Sequence, residues 1–189
     1  MYENQVFVIF GPTASGKSDL AKKISSKLKS SIINFDSLQV YQQLRILSSR
    51  PSIEDEKIID HRLYGIIDGN ENCTVAKWLK LAKIEIENCW KEKKTPILVG
   101  GTGLYLKGLI QGISHIPNIS DNTIKNTEAT FLNNGANYLY KVLSEHNKNT
   151  KIKETDSQRL KRSYSLLVET GYSLEEWQVK PEKIFKNVN

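Results

Sequence analysis

Apolar and polar positions switch between two periods along the first 112 residues, and the switch points outline the elements. Residues 5–10 form a short, β-rich apolar run that enters Gly11-Pro12, the pattern of a buried strand leading into a turn. From about Gly16 to Leu28 the period becomes helical, with Leu20, Ala21, Ile24 and Leu28 on one face. Ser31-Ile-Ile-Asn-Phe35 reads as a second buried strand, closed by Asp36. Pro51 to Ile59 opens with Pro-Ser and carries Glu54-Asp55-Glu56, which predicts a short helix with acids in its first turn. Leu63 to Ile67 predicts another short strand. The strongest helical signal starts behind Thr74, an N-cap residue type, where Val75, Trp78, Leu79, Ala82, Ile86, Cys89 and Trp90 recur at helical spacing as far as about Glu92. Pro96-Ile-Leu-Val99 is a further buried strand broken by Gly100-Gly101, and a helix from Thr102 to about Ile110 ends at Gly112. Strands alternating with helices imply a parallel sheet with helices on both faces, an α/β fold.

After Gly112 the pattern changes. Residues 113–154 hold a Pro117-Asn-Ile-Ser-Asp121 joint and two helical stretches near 122–132 and 136–146, with no strand, and read as a small helical insert. A longer helix is expected over 156–170, where Leu160, Tyr164, Leu167 and Val168 share a face and Gly171 stands at C′. The expected organisation is therefore a core over residues 1–113, an insert over 114–154, and a helix returning to the core with a short tail over 155–189. The tail is expected to fray from Lys180.

The chain has 189 residues, 39% hydrophobic and 25% charged, which suits one soluble domain carrying a small insert and excludes a disordered tail protein. The longest apolar runs are too short to span a bilayer, and Met1-Tyr-Glu-Asn-Gln lacks the basic start of a secretory signal, so a cytoplasmic monomer with no membrane partner is expected. Cys73 and Cys89 fit neither a metal spacing nor a disulfide framework and read as thiols in a reducing compartment. The net charge of +6 permits a nucleic acid partner without demanding one: only five of the 27 basic residues are Arg, and no stretch forms a basic tail.

Gly11-Pro-Thr-Ala-Ser-Gly16-Lys17-Ser18 matches the phosphate-loop pattern at every fixed position, between an apolar strand and an amphipathic helix. Gly11, Pro12, Thr13, Ala14, Ser15 and Gly16 would turn backbone N–H groups toward a phosphate, the helix start adds partial positive charge, Lys17 adds a formal charge, and the Ser18 hydroxyl can ligate Mg²⁺ bridging two phosphates. The motif reports a diphosphate group and is silent on whether that group is hydrolysed, transferred or released. An ATPase or kinase also needs a strand ending in an acid to hold the magnesium shell. Strand 96–99 ends in Gly-Gly, and the apolar strand that ends in an acid is 31–35, with Asp36. In a doubly wound sheet that carboxylate lies at the ligand-binding edge, available as a base. On spacing alone, Asp36 is equally a helix N-cap.

These motifs together resemble the bacterial tRNA dimethylallyltransferases, also called tRNA isopentenyltransferases. Gly11-Pro-Thr-Ala-Ser-Gly-Lys-Ser18 is similar to that family's phosphate loop, Asp36-Ser37-Leu38-Gln39 to its Asp-Ser-x-Gln segment, Gly100-Gly-Thr-Gly-Leu-Tyr105 to its Gly-Gly-Thr-x-Leu-Tyr signature, and Asp156-Ser-Gln-Arg159-Leu-Lys-Arg162 with Thr170-Gly171 to its Asp-x-x-Arg-x-x-Arg helix. The resemblance implies a P-loop NTPase-like fold and transfer of a dimethylallyl group from dimethylallyl diphosphate to the exocyclic amine of the adenine 3′ of a tRNA anticodon, with Mg²⁺. It implies that the loop holds the leaving pyrophosphate, that Asp36 takes the amine proton, and that Thr102 contacts the substrate. Read by itself, Thr102 is a helix N-cap.

The same resemblance implies tRNA contacts from Asp36, Ser37, Leu38, Gln39, Thr102, Lys125, Gln158, Arg159, Leu160, Lys161 and Arg162. Taken alone, Arg159 and Arg162 share a helix face that is ordinarily solvated, and His61, which matches a His-containing segment of the family, is ordinarily structural. Two departures stand out. The family's Gly-Thr-x-Lys-Pro stretch appears as Leu47-Ser48-Ser49-Arg50-Pro51, and family members continue well beyond 189 residues. Competing readings are a small-molecule kinase using ATP, a shortened and inactive remnant of the tRNA-modifying enzyme, and prenylation of free AMP, which has no use for the insert and the 158–162 helix.

Overall fold

The computed structural model describes residues 5–178 together with Pro181 and Phe185; most of the tail expected to fray from Lys180 lies outside the described residues. Four parallel strands form one sheet in the order β1-β4-β2-β3, with β1 at Phe7–Phe10, β2 at Ser30–Asn34, β3 at His61–Arg62 and β4 at Thr95–Gly100. One row of the register runs Phe7, Ile97, Ile32, His61 across all four strands. The central strands are apolar on both sides because both sides are covered. Ile32, Ile97 and Val99 bury Ala21 of α1 (Lys17–Ser25) on one face. Ile33 and Leu98, which alternate with them, are fully buried as well, and α3 (Val75–Lys91) packs on the same two strands. Trp78 anchors α3, donating its indole N–H to the carbonyl of Asn34 at 3.0 Å and stacking on Tyr105 of α4 (Gly103–Gln111). β1 lies at the sheet edge and its side chains are partly exposed, although the Trp90 indole donates to the Gln5 carbonyl just before it.

Ser52 caps α2 (Ile53–Ile58) by accepting from the Asp55 N–H, and Thr74 caps α3 by accepting from the Lys77 N–H, as their residue types imply. The strand expected at 63–67 is absent. β3 is the two residues just before it, Leu63 takes a left-handed φ of 62°, and Gly65, Ile66 and Ile67 donate to the carbonyls of Gln39 and Val40 in an irregular connection. A short apolar run looks the same whether it is a strand or a buried loop, and here backbone bonds to residues 39–40 decide.

One compact unit ends at Gly112 and a second begins at Ile113. The second unit contains α5 (Asp121–His146), α6 (Ser157–Thr170) and α7 (Leu174–Trp177). The two helical stretches expected near 122–132 and 136–146 meet as α5, whose helical backbone is interrupted only at Gly135 (φ 77°, ψ 179°). Asp156 caps α6 by accepting from the Arg159 N–H, and Gly171 ends it with φ 77°. Ser157–Thr170, which the sequence suggests as a helix returning to the core, packs on α5 within this second unit: Leu160 is fully buried with Leu139, Leu143 and Ile152. Among the described residues no helix is long and apolar enough to cross a membrane.

Candidate active site

The loop between β1 and α1 has the form of a phosphate cradle. Ala14 and Gly16 have φ of 62° and 78°, the alternation of backbone hand that turns successive N–H groups to one side. Residues 12–16 are exposed, as a ligand-binding loop must be. Lys17 is folded back over the loop, its ammonium donating to the Pro12 carbonyl, so the charge is held at the cradle. Among the described residues the Ser18 hydroxyl has no protein partner.

Gly100 and Gly101 explain how the acid reaches this cradle. A Cβ built on Gly100 would stand 2.5 Å from the carbonyl carbon of Phe35 and 2.8 Å from the nitrogen of Asp36, so β2 and β4 converge at their carboxyl ends as closely as glycine allows. A Cβ on Gly101 would stand 3.0 Å from the carbonyl oxygen of Gly11 and 4.0 Å from Oδ2 of Asp36. The entry to the loop and the Asp36 carboxylate therefore flank one glycine, on one rim of the sheet.

Asp36 is not a helix cap. Its Oδ1 accepts from the Leu38 N–H at 2.9 Å in a turn, and the first helical residues that follow are the 3₁₀ turn Gln42–Leu44, preceded by Tyr41. Its backbone is fixed by Asn34, whose side-chain oxygen accepts from the Asp36 N–H at 2.8 Å and whose amide donates to the carbonyls of Asp36 and Leu63, both at 3.1 Å. Oδ2 has no protein partner among the described residues. Two phenols sense the negative charge. Tyr64 is pushed well above its usual range, by burial first and by Asp36 and Glu56 next; Tyr105 is pushed up by burial, by its bond to Cys73 and more weakly by Asp36. Both phenols are protonated at neutral pH.

Thr102 precedes α4 but its side chain does not cap it. The hydroxyl instead accepts from the Ser37 N–H at 2.9 Å and lies 3.3 Å from the Ser37 hydroxyl, tying the start of α4 to the turn that carries Asp36. Leu38 is exposed on that turn. Gln39 is used internally: its amide donates to the carbonyls of Ser48 and Ser49 at 2.8 and 3.3 Å. His61 packs edge-on against Tyr64, with Nδ1 2.8 Å from the Ile59 carbonyl. Asn34 was not singled out by sequence; a polar residue ending an apolar strand is its one sequence signal.

In the second unit, Lys125, Gln158, Arg159 and Arg162 are exposed. Arg159 pairs with Asp156 at 3.3 Å, while Arg162 has no protein partner among the described residues. Lys161 reaches Glu128 on α5 at 2.7 Å and lies over the Phe131 ring. Leu160 is corrected: its side chain is fully buried in the core of this unit and is not available to an RNA.

The model of the family described as IPP transferase matches residues 39–188. The tRNA dimethylallyltransferase of Pelagibacter ubique is 41% identical over 98% of this chain and 60% of that protein, and that of Methylocella silvestris is 44% identical over 90% and 57%. Among solved structures, a eukaryotic dimethylallyltransferase acting on tRNA matches with a TM-score of 0.75 at 26% identity, covering 94% of this chain and 46% of that one. The full-length tRNA isopentenylpyrophosphate transferase of Bacillus halodurans matches with a TM-score of 0.57 at 28% identity, covering 90% and 57%. The chain thus spans between 46% and 60% of the length of these relatives. Because that family model matches residues 39–188, well over half of its length, the chain belongs to the IPP transferase family.

Proposed function

We propose that the chain is a cytoplasmic tRNA dimethylallyltransferase, moving a dimethylallyl group from dimethylallyl diphosphate to the N6 amine of the adenine 3′ of the anticodon. The observation that carries this reading is the pair of approaches to Gly101: Gly11 of the phosphate loop on one side and Oδ2 of Asp36 on the other. In the reaction, the amine nitrogen bonds to C1 of the allyl group as the C1–O bond breaks, the diphosphate leaves with that electron pair, and an amine proton goes to Asp36. Asp36 suits this role because one carboxylate oxygen is fixed by the Leu38 N–H while the other is open. The loop amides and Lys17 stabilise charge as it grows on the leaving group.

Mg²⁺ fits the donor set in one form only. Among the described residues no group of three or more His, Cys, Asp or Glu side chains can enclose a metal, so the ion would be held by the Ser18 hydroxyl, water and substrate phosphates. Bound there, it would neutralise part of the diphosphate charge. A kinase is less well supported: β4, the neighbour of β1, ends in Gly100 and supplies no acid. Incubating the purified chain with unmodified tRNA, Mg²⁺ and labelled dimethylallyl diphosphate tests the proposal. Label in the RNA at the adenine 3′ of the anticodon supports it; γ-phosphate transfer from ATP without such label supports the kinase, and neither reaction supports an inactive remnant.

A further inference from the structure

A cavity of about 170 Å³ opens beside the phosphate loop, walled by Ser18 and Ala21 of α1, Ile32 and Val99 of the sheet, Arg50, and Tyr64. It is smaller than the roughly 300 Å³ at which pockets for drug-sized ligands begin, so it suits a single chemical group and not a whole nucleotide. Its unusual member is Arg50. The side chain is only 7% exposed, and Nε is buried without a partner. Its other contacts are long: Nη1 lies 3.4 and 3.5 Å from the carbonyls of Tyr41 and Gln42, and Nη2 lies 3.5 Å from Glu56. A buried guanidinium ordinarily has short, forked partners.

Glu56 satisfies it only in part, because that carboxylate also accepts two shorter bonds from Nη2 of Arg45, at 2.9 and 3.1 Å. Burial and the neighbouring Arg45 charge both push the Arg50 pKa down, which Glu56 only partly offsets. Elsewhere on the wall, Lys22 and Asp55 pair at 3.3 Å and cancel each other. The site is built to keep Arg50 in place: Gly65, at φ 57°, leaves open the space in which a Cβ would stand 1.9 Å from Nη1. The cavity thus holds one under-bonded cation, its Nε unpartnered and its carboxylate shared with Arg45, in a wall shared with the phosphate loop.

We propose that this cavity is a second anion subsite beside the phosphate loop, in which Arg50 binds a phosphate group. It rests on the function proposed above only in that the loop itself takes a diphosphate. The group is either the second phosphate of a diphosphate seated on the loop or a free phosphate ion. Prenyl donor and RNA are left out of the test, so failure of the transferase reading and failure of the subsite give different results.

The 189-residue chain is titrated with inorganic pyrophosphate and, separately, inorganic phosphate, reading heat and the Nε–H resonance of Arg50. Pyrophosphate is expected to shift that resonance, and Arg50→Gln to weaken pyrophosphate by about tenfold or more, with Arg50→Lys recovering part of the loss. A shift with phosphate that survives Lys17→Ala assigns the subsite to a free ion; a shift confined to pyrophosphate and lost in Lys17→Ala assigns it to a diphosphate on the loop. If Arg50→Gln does not fold, the resonance in the parent chain still decides. An Arg50 signal indifferent to both anions overturns the proposal.

Discussion

The hydroxyl of Thr102 accepts a 2.9 Å hydrogen bond from the backbone nitrogen of Ser37, across 65 positions of sequence, and leaves α4 without a side-chain cap. The bond fastens the end of β4 to the turn behind Asp36. Thr102→Val keeps the shape, removes the acceptor and leaves the half-buried Ser37 N–H unpaired, a loss of about 1–3 kcal/mol. Thr102→Ser should retain most of that stability. If the proposed transfer is the activity, Thr102→Val lowers kcat more than it alters donor KM, because the displaced group is the base and not the loop. Urea melts and steady-state kinetics on the two variants check both statements.

Asp36→Asn separates charge from geometry. Asn keeps an oxygen to accept from Leu38, so the turn is expected to survive with unchanged thermal stability. The open oxygen of Asp36 loses its basicity, and transfer should fall by a factor of 10² or more, on the order expected for a general base. Binding of tRNA should be retained. A variant that turns over at near-parental rates removes Asp36 from the role of base.

Gly100 and Gly103 belong to the same signature but have opposite sensitivities. Alanine at Gly100 drives a methyl into the backbone of Phe35 and Asp36, both in positions that the sheet fixes, and is expected to cost about 1–3 kcal/mol. Alanine at Gly103 meets nothing within 4 Å and enters the first turn of α4, so it should be neutral or stabilise by up to about 1 kcal/mol. Denaturant midpoints of the two variants are the comparison.

The contrast between those two glycines marks what the sequence could convey. Periodicity located α1, α3 and α4 because each buries one face in a locally repeated pattern. Short apolar runs located the three longer strands, although only β2 and β4 are buried, on both faces, while β1 is partly exposed at the edge. The loop and the Asp36 rim were legible because phosphate chemistry needs its residues close together in sequence. The turn at Leu63 was not, since its left-handed backbone is held by Asn34 and by residues 39–40, partners that no local period reveals. Gln39 and Leu160 show the same limit from the other side: a motif gives a residue type, while the direction of the side chain depends on Ser48 in one case and Leu139 in the other. Arg50 was visible only as a departure from a family pattern, and its burial emerges only in three dimensions.

Asp60 should set the acid limit of the first unit. Burial would raise its pKa, but hydrogen bonds from Arg62, Lys94 and Ser31, at 2.7 to 3.1 Å, outweigh that and hold the carboxyl well below the usual carboxylate range. An unfolded Asp takes its proton near pH 3.9, by the usual value, whereas the folded one resists until lower pH. The stabilisation is therefore complete above about pH 5 and is lost as pH falls through 4 toward the folded pKa. Asp60→Asn should lower stability at pH 7 and flatten its dependence on pH below 5, as measured by denaturation at a series of pH values. A parental slope in the variant would assign the acid sensitivity to other carboxylates.

Arg162 and Leu160 are two positions apart on α6 and should fail in different ways. Leu160 is fully buried with Leu139, Leu143 and Ile152, so Leu160→Ala opens a cavity and should destabilise the second unit by about 2–5 kcal/mol. Any weakening of RNA binding in that variant would follow the loss of fold and would be visible by circular dichroism. Arg162 is exposed with no protein partner among the described residues, so Arg162→Ala should leave stability within about 0.5 kcal/mol. If its guanidinium meets a tRNA phosphate, binding weakens and the slope of log K against log salt becomes shallower by about one unit. Arg159→Ala should act in the same direction but less, because Arg159 must first leave Asp156. Salt titrations of tRNA binding that are identical for parent and Arg162→Ala would return this face of α6 to the solvent.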